Sequence, residues 1–143
     1  LSLSDPWGAE RHREALSRFV GDHVDIMFAN EDEAASLRDL PVDGAAARLV
    51  KQCDEVVITR GPKGAFIGRG DEGHEIPARP HGAVVDTTGA GDLFAAGYLF
   101  GRTNGRDPRQ SGVIASLAAG EVISHIGARP EADIAALAAA EHL

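Results

Sequence analysis

The run Asp86-Thr87-Thr88-Gly89-Ala90-Gly91-Asp92 sets carboxylates at both ends of five small residues, between a short apolar segment and a stretch with helical spacing. Two glycines and an alanine let the chain turn sharply into that helix. Consecutive N–H groups of its first turn then point outward without partners and, with the helix dipole, make an anion site. A carboxylate inside such a ring repels a phosphate, so binding alone gives it no purpose. It gains one if Asp92 takes the proton of a hydroxyl that attacks phosphorus, while those N–H groups stabilise charge on the transferred phosphoryl. A glycine-rich turn with Asp92 as a helix cap fits the same residues.

Two further groups carry oxygen or cationic chemistry. Asn30 precedes Glu31, Asp32 and Glu33; Asn30 and Glu33 offer hard oxygen ligands suited to Mg²⁺, which is often held by few carboxylates and keeps its waters. The same three-residue spacing is a capping box, which these residues alone favour. In Thr59-Arg60-Gly61-Pro62-Lys63-Gly64 the glycines permit close approach of a nucleotide, and Arg60 and Lys63 can meet phosphate. A charged hairpin turn has the same composition.

Other chemistries find less support. No Gly-Lys-Ser/Thr follows the glycines at 89 and 91, so a Walker-type loop does not fit. Gly68, Gly70 and Gly73 match G-x-G-x-x-G in form, but the residues that follow, His74 to Pro80, cannot readily open the helix a dinucleotide site needs. The six histidines show no zinc spacing. Cys53, at a helix end, reads as a small apolar filler, and Trp7 beside Pro6 as packing, with stacking on a nucleoside or sugar as its alternative.

These residues need a scaffold, and the pattern predicts an α/β one. Residues 1–4 alternate like a strand; with no initiator Met, a chain opening in mid-strand reads as a piece of a larger one. Helical spacing covers 9–20, and 24–29 is apolar enough for a buried strand. A helix runs from Asn30 as cap to Pro41, with acidic residues in its first turn. Asp43 can cap a second helix over 44–53. Residues 55–59, Glu-Val-Val-Ile-Thr, have the β-branched continuity of a buried parallel strand. A tight turn at 60–64, a returning strand at 65–67, a charged hairpin tip at 69–73, a departing segment at 74–77 and a last short strand at 82–85 follow. Helices are predicted over 93–102, 111–126 and 131–140, separated by a polar loop at 103–110; the second is apolar almost all round and so buried, with only Glu121 and His125 ionisable.

Composition bounds the answer. The 143 residues allow one domain, and a chain of this size hides about 68–70% of its unfolded surface. A net charge of −8 without a basic stripe argues against nucleic acid as partner. One cysteine forms no internal disulfide, and no uncharged apolar run nears the ~20 residues of a membrane span, which predicts a soluble cytoplasmic protein.

In this order, Asn30-Glu-Asp-Glu33, the turn from Thr59 to Gly64, and Asp86-Thr-Thr-Gly-Ala-Gly-Asp-Leu-Phe-Ala-Ala-Gly97 resemble the ribokinase-like (PfkB) family of carbohydrate and nucleoside kinases. The last matches that family's C-terminal signature. The opening Leu-Ser-Leu-Ser-Asp-Pro and Arg11-His12-Arg13 look most like its adenosine kinase and sugar kinase branch.

The resemblance implies a ribokinase-like three-layer sandwich. Residues 1–143 would form its C-terminal, nucleotide-binding portion, with a mostly parallel sheet, flanking helices and a β-hairpin, and without the N-terminal substrate and lid half. It implies ATP-dependent phosphoryl transfer to a hydroxyl of a sugar or nucleoside, with Asp92 as general base and Gly89, Ala90 and Gly91 as anion hole. Thr59, Arg60, Gly61 and Gly64 would meet the nucleotide, and Asn30 and Glu33 would position Mg²⁺ through water. Asp86 and Thr88, with residues 124–127, resemble a site for a monovalent cation such as K⁺, and residues 111–125 the helix that lines the adenine pocket. The full-length protein would form a homodimer through its lid. The alternatives are a non-catalytic nucleotide-binding module lacking the substrate half and a vitamin or pyrimidine-precursor kinase on the same scaffold.

Overall fold

The computed structural model describes residues 1–3 and 5–143, with the side chains of all of these except Val42 and Asp43. The strand-like role expected of Ser4 and the capping role expected of the Asp43 side chain lie outside the described residues. The chain gathers into two compact units, Leu1–Arg60 with Phe66–His74, and Gly61–Ala65 with Glu75–Leu143.

In the first unit, the Asp5 carboxylate accepts the Gly8 N–H at 2.6 Å and Pro6 takes the first helical position, so helix α1 (Pro6–Arg11) starts three residues before the expected 9. The backbone leaves helical geometry at His12 and resumes it as α2 (Arg13–His23), where one helix was predicted. Strand β1 (Ile26–Asn30) follows, two residues later than expected. Residues 1–3 lie parallel to it: the Leu3 N–H donates to the Phe28 carbonyl at 3.0 Å, and the Phe28 N–H to the Leu1 carbonyl at 2.8 Å.

Helices α3 (Glu31–Arg38) and α4 (Val42–Leu49) carry the crossover to β2 (Glu55–Thr59), which pairs with β1 in parallel. Asp39, left-handed at φ 53°, ends α3 before the expected Leu40, and α4 spans 42–49 rather than 44–53, with Pro41 at its cap position. Val20, Met27, Leu37, Leu49, Val56 and Ile58 are at most 1% exposed. Each contributes roughly 1.5–3 kcal/mol by burial.

The sheet continues through β3 (Ala65–Arg69) and β4 (Glu72–Ile76) in the order β1-β2-β3-β4. The links before and after β3 are five and two residues long, too short for a parallel crossover, so β3 runs antiparallel to both neighbours. This corrects the tip expected over 69–73 and the segment expected to lead away over 74–77. Gly70, at φ 56°, lets the chain reverse in two residues, so the strand resumes at once. Gly68, Gly70 and Gly73 thus lie in β3, its tip and β4, with no helix behind them, in line with setting the dinucleotide reading aside.

In the second unit the strand expected at 82–85 does not form. Val84 and Val85 are 62% and 56% exposed, and the Val85 N–H donates to the Ile123 carbonyl at 2.8 Å instead of to a ladder. Strand propensity takes effect only with a neighbour to pair with. Helix α5 (Ala90–Thr103) begins three residues before the expected 93. Helix α6 (Pro108–Val122) begins inside the predicted loop at 103–110, because Asp107 and Gln110 close a capping box ahead of it and Pro108 takes its first position. It ends at Val122 rather than 126. Helix α7 (Ile134–Ala140) starts late, where the Asp133 carboxylate accepts the N–H groups of Ala135 and Ala136. Helices α5 and α6 touch backbone to backbone: a Cβ on Gly97 would come within 2.8 Å of the Ala115 Cα, and one on Gly101 within 2.8 Å of the Ser111 Cα. Tyr98, between those glycines in sequence, is fully buried. Among the described residues no helix is long and apolar enough to cross a membrane.

Candidate functional site

The parallel register sets Asn30 opposite Thr59, so the carboxyl ends of β1 and β2 bring two of the three singled-out segments side by side. Asn30 ends β1 and caps α3. Its Oδ1 accepts the Glu33 N–H at 2.8 Å, and the Glu33 Oε2 accepts the Asn30 N–H at 2.8 Å. Glu33 is 6% exposed. Burial pushes its pKa up, the Asn30 N–H pulls it down, Asp5 and Asp32 push it up further, and the net direction is up.

This capping box sets how Mg²⁺ could be met at the end of β1. The box occupies one lone pair on Asn30 Oδ1 and one on Glu33 Oε2, so Glu33 Oε1 and the remaining lone pairs could meet Mg²⁺ or its waters with the box closed. Among the described residues no group of three His, Cys, Asp or Glu side chains could hold a metal ion. Two oxygen-bearing side chains of this kind fit an ion that keeps most of its waters, as Mg²⁺ does. Beyond Thr59, the Arg60 guanidinium lies over the Phe66 ring, 5.9 Å from its centroid.

In the second unit, Gly61–Lys63 form one 3₁₀ turn, and the Gly64 N–H closes it on the Gly61 carbonyl at 3.0 Å. Gly64 has φ 91°, and a Cβ there would run into the Ile76 carbonyl, so only glycine fits. Lys63 is exposed.

The loop before α5 is built around Asp86. Its Oδ1 accepts the Thr88 N–H at 2.9 Å and the Thr88 hydroxyl at 2.7 Å, and its Oδ2 accepts the Gly127 N–H at 3.3 Å. The Thr88 backbone, then the Thr88 hydroxyl and the Gly127 N–H, hold its carboxyl below the usual carboxylate range. Gly89 caps α5 at φ 80°, and a Cβ there would stand 2.6 Å from the Ala128 Cβ. The Ala90 N–H donates to the Thr87 carbonyl at 3.2 Å, while the N–H groups of Gly89, Gly91 and Asp92 have no partner among the described residues. Asp92, third residue of α5, is exposed, and its carboxylate has neither hydrogen bond nor ion pair among the described residues. It is not turned inward onto a cation.

The singled-out residues thus divide. Asn30, Glu33, Thr59 and Arg60 belong to the first unit; Gly61, Gly64, Asp86, Thr88, Gly89, Ala90, Gly91 and Asp92 belong to the second. Trp7, expected to pack, is 65% exposed with the Arg11 guanidinium 4.9 Å from its ring centroid. Cys53 is the buried filler expected, and burial pushes its thiol up to about 11.

Sequence reasoning missed how closely Ala128 covers Gly89, and it saw Glu121 only as an ionisable residue of a buried helix. Glu121 is 2% exposed, and its Oε1 accepts the N–H groups of Glu131 at 2.8 Å and Ala132 at 2.7 Å, with the His125 Nε2 at 3.3 Å. Burial pushes its pKa up, but the Ala132 and Glu131 N–H groups and His125 outweigh that, and the net direction is down. A lone carboxylate in a small, apolar helix was the available signal.

Residues 1–135 match the profile of the pfkB family carbohydrate kinases. The structure of a probable sugar kinase from Rhizobium etli CFN 42 is similar at a TM-score of 0.94 and 38% identity, over 99% of this chain and 43% of that one. Adenosine kinase from Sinorhizobium meliloti is similar at a TM-score of 0.92 and 39% identity, over 98% of this chain and 43% of that one. A nucleoside kinase of Methanocaldococcus jannaschii is 32% identical over 118 residues, 80% of this chain and 37% of the relative. The chain therefore spans less than half the length of these relatives.

Proposed function

The chain belongs to the pfkB family of carbohydrate kinases, and on that premise we propose that it is the C-terminal, nucleotide-binding part of an enzyme that transfers a phosphoryl group from ATP to a hydroxyl of a sugar or nucleoside. The observation that carries this reading is Asp92, exposed in the first turn of α5 and, like the N–H groups beside it, without a partner among the described residues. The relatives, a probable sugar kinase, an adenosine kinase and a nucleoside kinase, supply the two acceptor classes.

In the proposed reaction the acceptor oxygen bonds to the γ-phosphorus and its proton passes to the Asp92 carboxylate. The bond to the β–γ bridging oxygen breaks, and ADP leaves with that electron pair. The N–H groups of Gly89, Gly91 and Asp92 face the charge that develops on the migrating phosphoryl, with Ala90 continuing the turn. Thr59, Arg60, Gly61 and Gly64 accommodate the nucleotide phosphates. Asp86 and Thr88, with residues 124–127, suit a monovalent cation that orders the loop. Asn30 and Glu33 would hold hydrated Mg²⁺, which neutralises phosphate charge when bound.

The test is Asp92→Asn in the enzyme that contains this chain as its C-terminal part. Turnover falls by a factor of about 10² or more, the usual contribution of a general base; near-parental turnover in a folded variant refutes the role. A second reading is a non-catalytic nucleotide-binding module, in which the N–H groups of Gly89, Gly91 and Asp92, without partners among the described residues, only hold phosphate. Calorimetry that detects ATP on the 143-residue chain, beside a silent ADP-release assay with sugars and nucleosides, selects it.

A further inference from the structure

A buried carboxylate is costly in a helix interior unless its oxygens are hydrogen-bonded. Glu121 occupies such a place in α6, and its bonds show what it holds. Its own carbonyl accepts the Ser124 N–H at 3.0 Å and the Ser124 hydroxyl at 2.7 Å. Its Oε1 accepts the N–H groups of Glu131 and Ala132, ten and eleven residues on. One residue therefore grips both ends of the segment 122–132, and no helix or strand holds that segment beyond Val122.

That closed segment meets the loop before α5 at three points. The Ile123 carbonyl accepts the N–H groups of Val85 at 2.8 Å and Asp86 at 3.4 Å. The Gly127 N–H reaches the Asp86 Oδ2, and Ala128 fills the space that a Cβ on Gly89 would need. Asp86 in turn fixes Thr88. A backbone carbonyl, a backbone N–H and a methyl group, carried on a strap pinned by one carboxylate, set the geometry of residues 86–89.

We propose that Glu121 is a positioning residue for the loop that opens α5: by closing the segment 122–132 it holds Gly127 against Asp86 and Ala128 against Gly89, and so fixes the turn from which Asp92 projects. The consequence for catalysis rests on the phosphate-holding reading of residues 86–92; the positioning itself does not.

The experiment uses the 143-residue chain labelled with ¹⁵N, following amide exchange and thermal midpoint together. In Glu121→Leu, which fills the volume and removes the acceptor, the Thr88 and Gly127 amides exchange about tenfold faster or more, beyond what the fall in thermal midpoint from the orphaned N–H groups accounts for. Glu121→Gln keeps an oxygen for the two N–H groups and holds both amides within about threefold of the parent. Ala132→Pro removes one donor from outside the buried helix, and it loosens the same amides even if Glu121→Leu fails to fold. Parental exchange at Thr88 and Gly127 in Glu121→Leu or in Ala132→Pro overturns the proposal. So does loosening that only tracks an equal loss of thermal midpoint in all three variants. Titration of the parent with ATP, read at the amides of residues 89–92, separates the two layers. Silence there removes the phosphate reading and leaves the exchange result to decide the positioning.

Discussion

Replacing Gly89 by alanine puts a methyl group where Ala128 already stands. Two costs can be worked from the geometry. At φ 80° an L side chain sits in the left-handed region, which costs roughly 1–2 kcal/mol. The new Cβ would lie 2.6 Å from the Ala128 Cβ and 3.2 Å from its Cα, inside the ~3.5–4.0 Å at which carbons attract. Overpacking of this kind costs about 1–3 kcal/mol. The unfolded chain loses freedom when glycine becomes alanine, which returns about 0.4–1 kcal/mol. The net expectation is a destabilisation of about 2–4 kcal/mol by urea denaturation followed in the far ultraviolet. A double-mutant cycle with Ala128→Gly isolates the contact. The clash disappears from the double variant while the backbone strain stays, so the coupling amounts to about 1–3 kcal/mol. Coupling below about 0.5 kcal/mol, at equal m values, would show that Ala128 does not confine Gly89.

Asn30→Ala breaks the capping box of α3 and lowers stability by about 1 kcal/mol, whereas Asn30→Ser retains most of it; equal urea midpoints for the two variants count against the cap. Burial pushes the His125 pKa down, but the Ile126 carbonyl, Glu121 and Glu131 raise it more, and the net direction is up. The stability this imidazole supplies is therefore complete below its ordinary value and lost as pH rises through the raised one. His125→Gln accordingly falls furthest below the parent at acid pH, and the gap closes at alkaline pH in a series of thermal melts. With its thiol near 11 and buried, Cys53 is about one part in 10⁴ thiolate at pH 7. A colorimetric thiol reagent labels it only as fast as added urea unfolds the chain, and rapid labelling of the native protein contradicts the assignment.

What the sequence made legible was mostly local. The β-branched run at 55–59 became β2 within the same bounds, and Asn30 with Glu33 closed the box that their spacing announced. The Asp107-Pro108-Arg109-Gln110 signal for the start of α6 was equally local, but it lay inside a polar stretch that hid it. Misplaced elements depended on distant partners. Residues 82–85 carry strand propensity with no ladder to join, while the polar Gly73, His74 and Glu75 became part of β4 because β3 lies two residues away. The candidate site divides in the same way. Residues 86–92 stood out by type, yet Gly127 serves Asp86 through a backbone N–H, forty-one residues away, that leaves no mark in side-chain composition.

Trp7 and Tyr98 are the chain's only indole and only phenol. The indole belongs to the first compact unit, out in solvent beneath Arg11; the phenol is sealed in the second. Nature has thereby installed one chromophore per unit without any labelling. Quenching of indole emission and the derivative absorbance of the phenol, recorded on one sample during a single melt, trace two separate curves. Superposition of those curves marks one cooperative transition, and divergence marks two halves that come apart in turn.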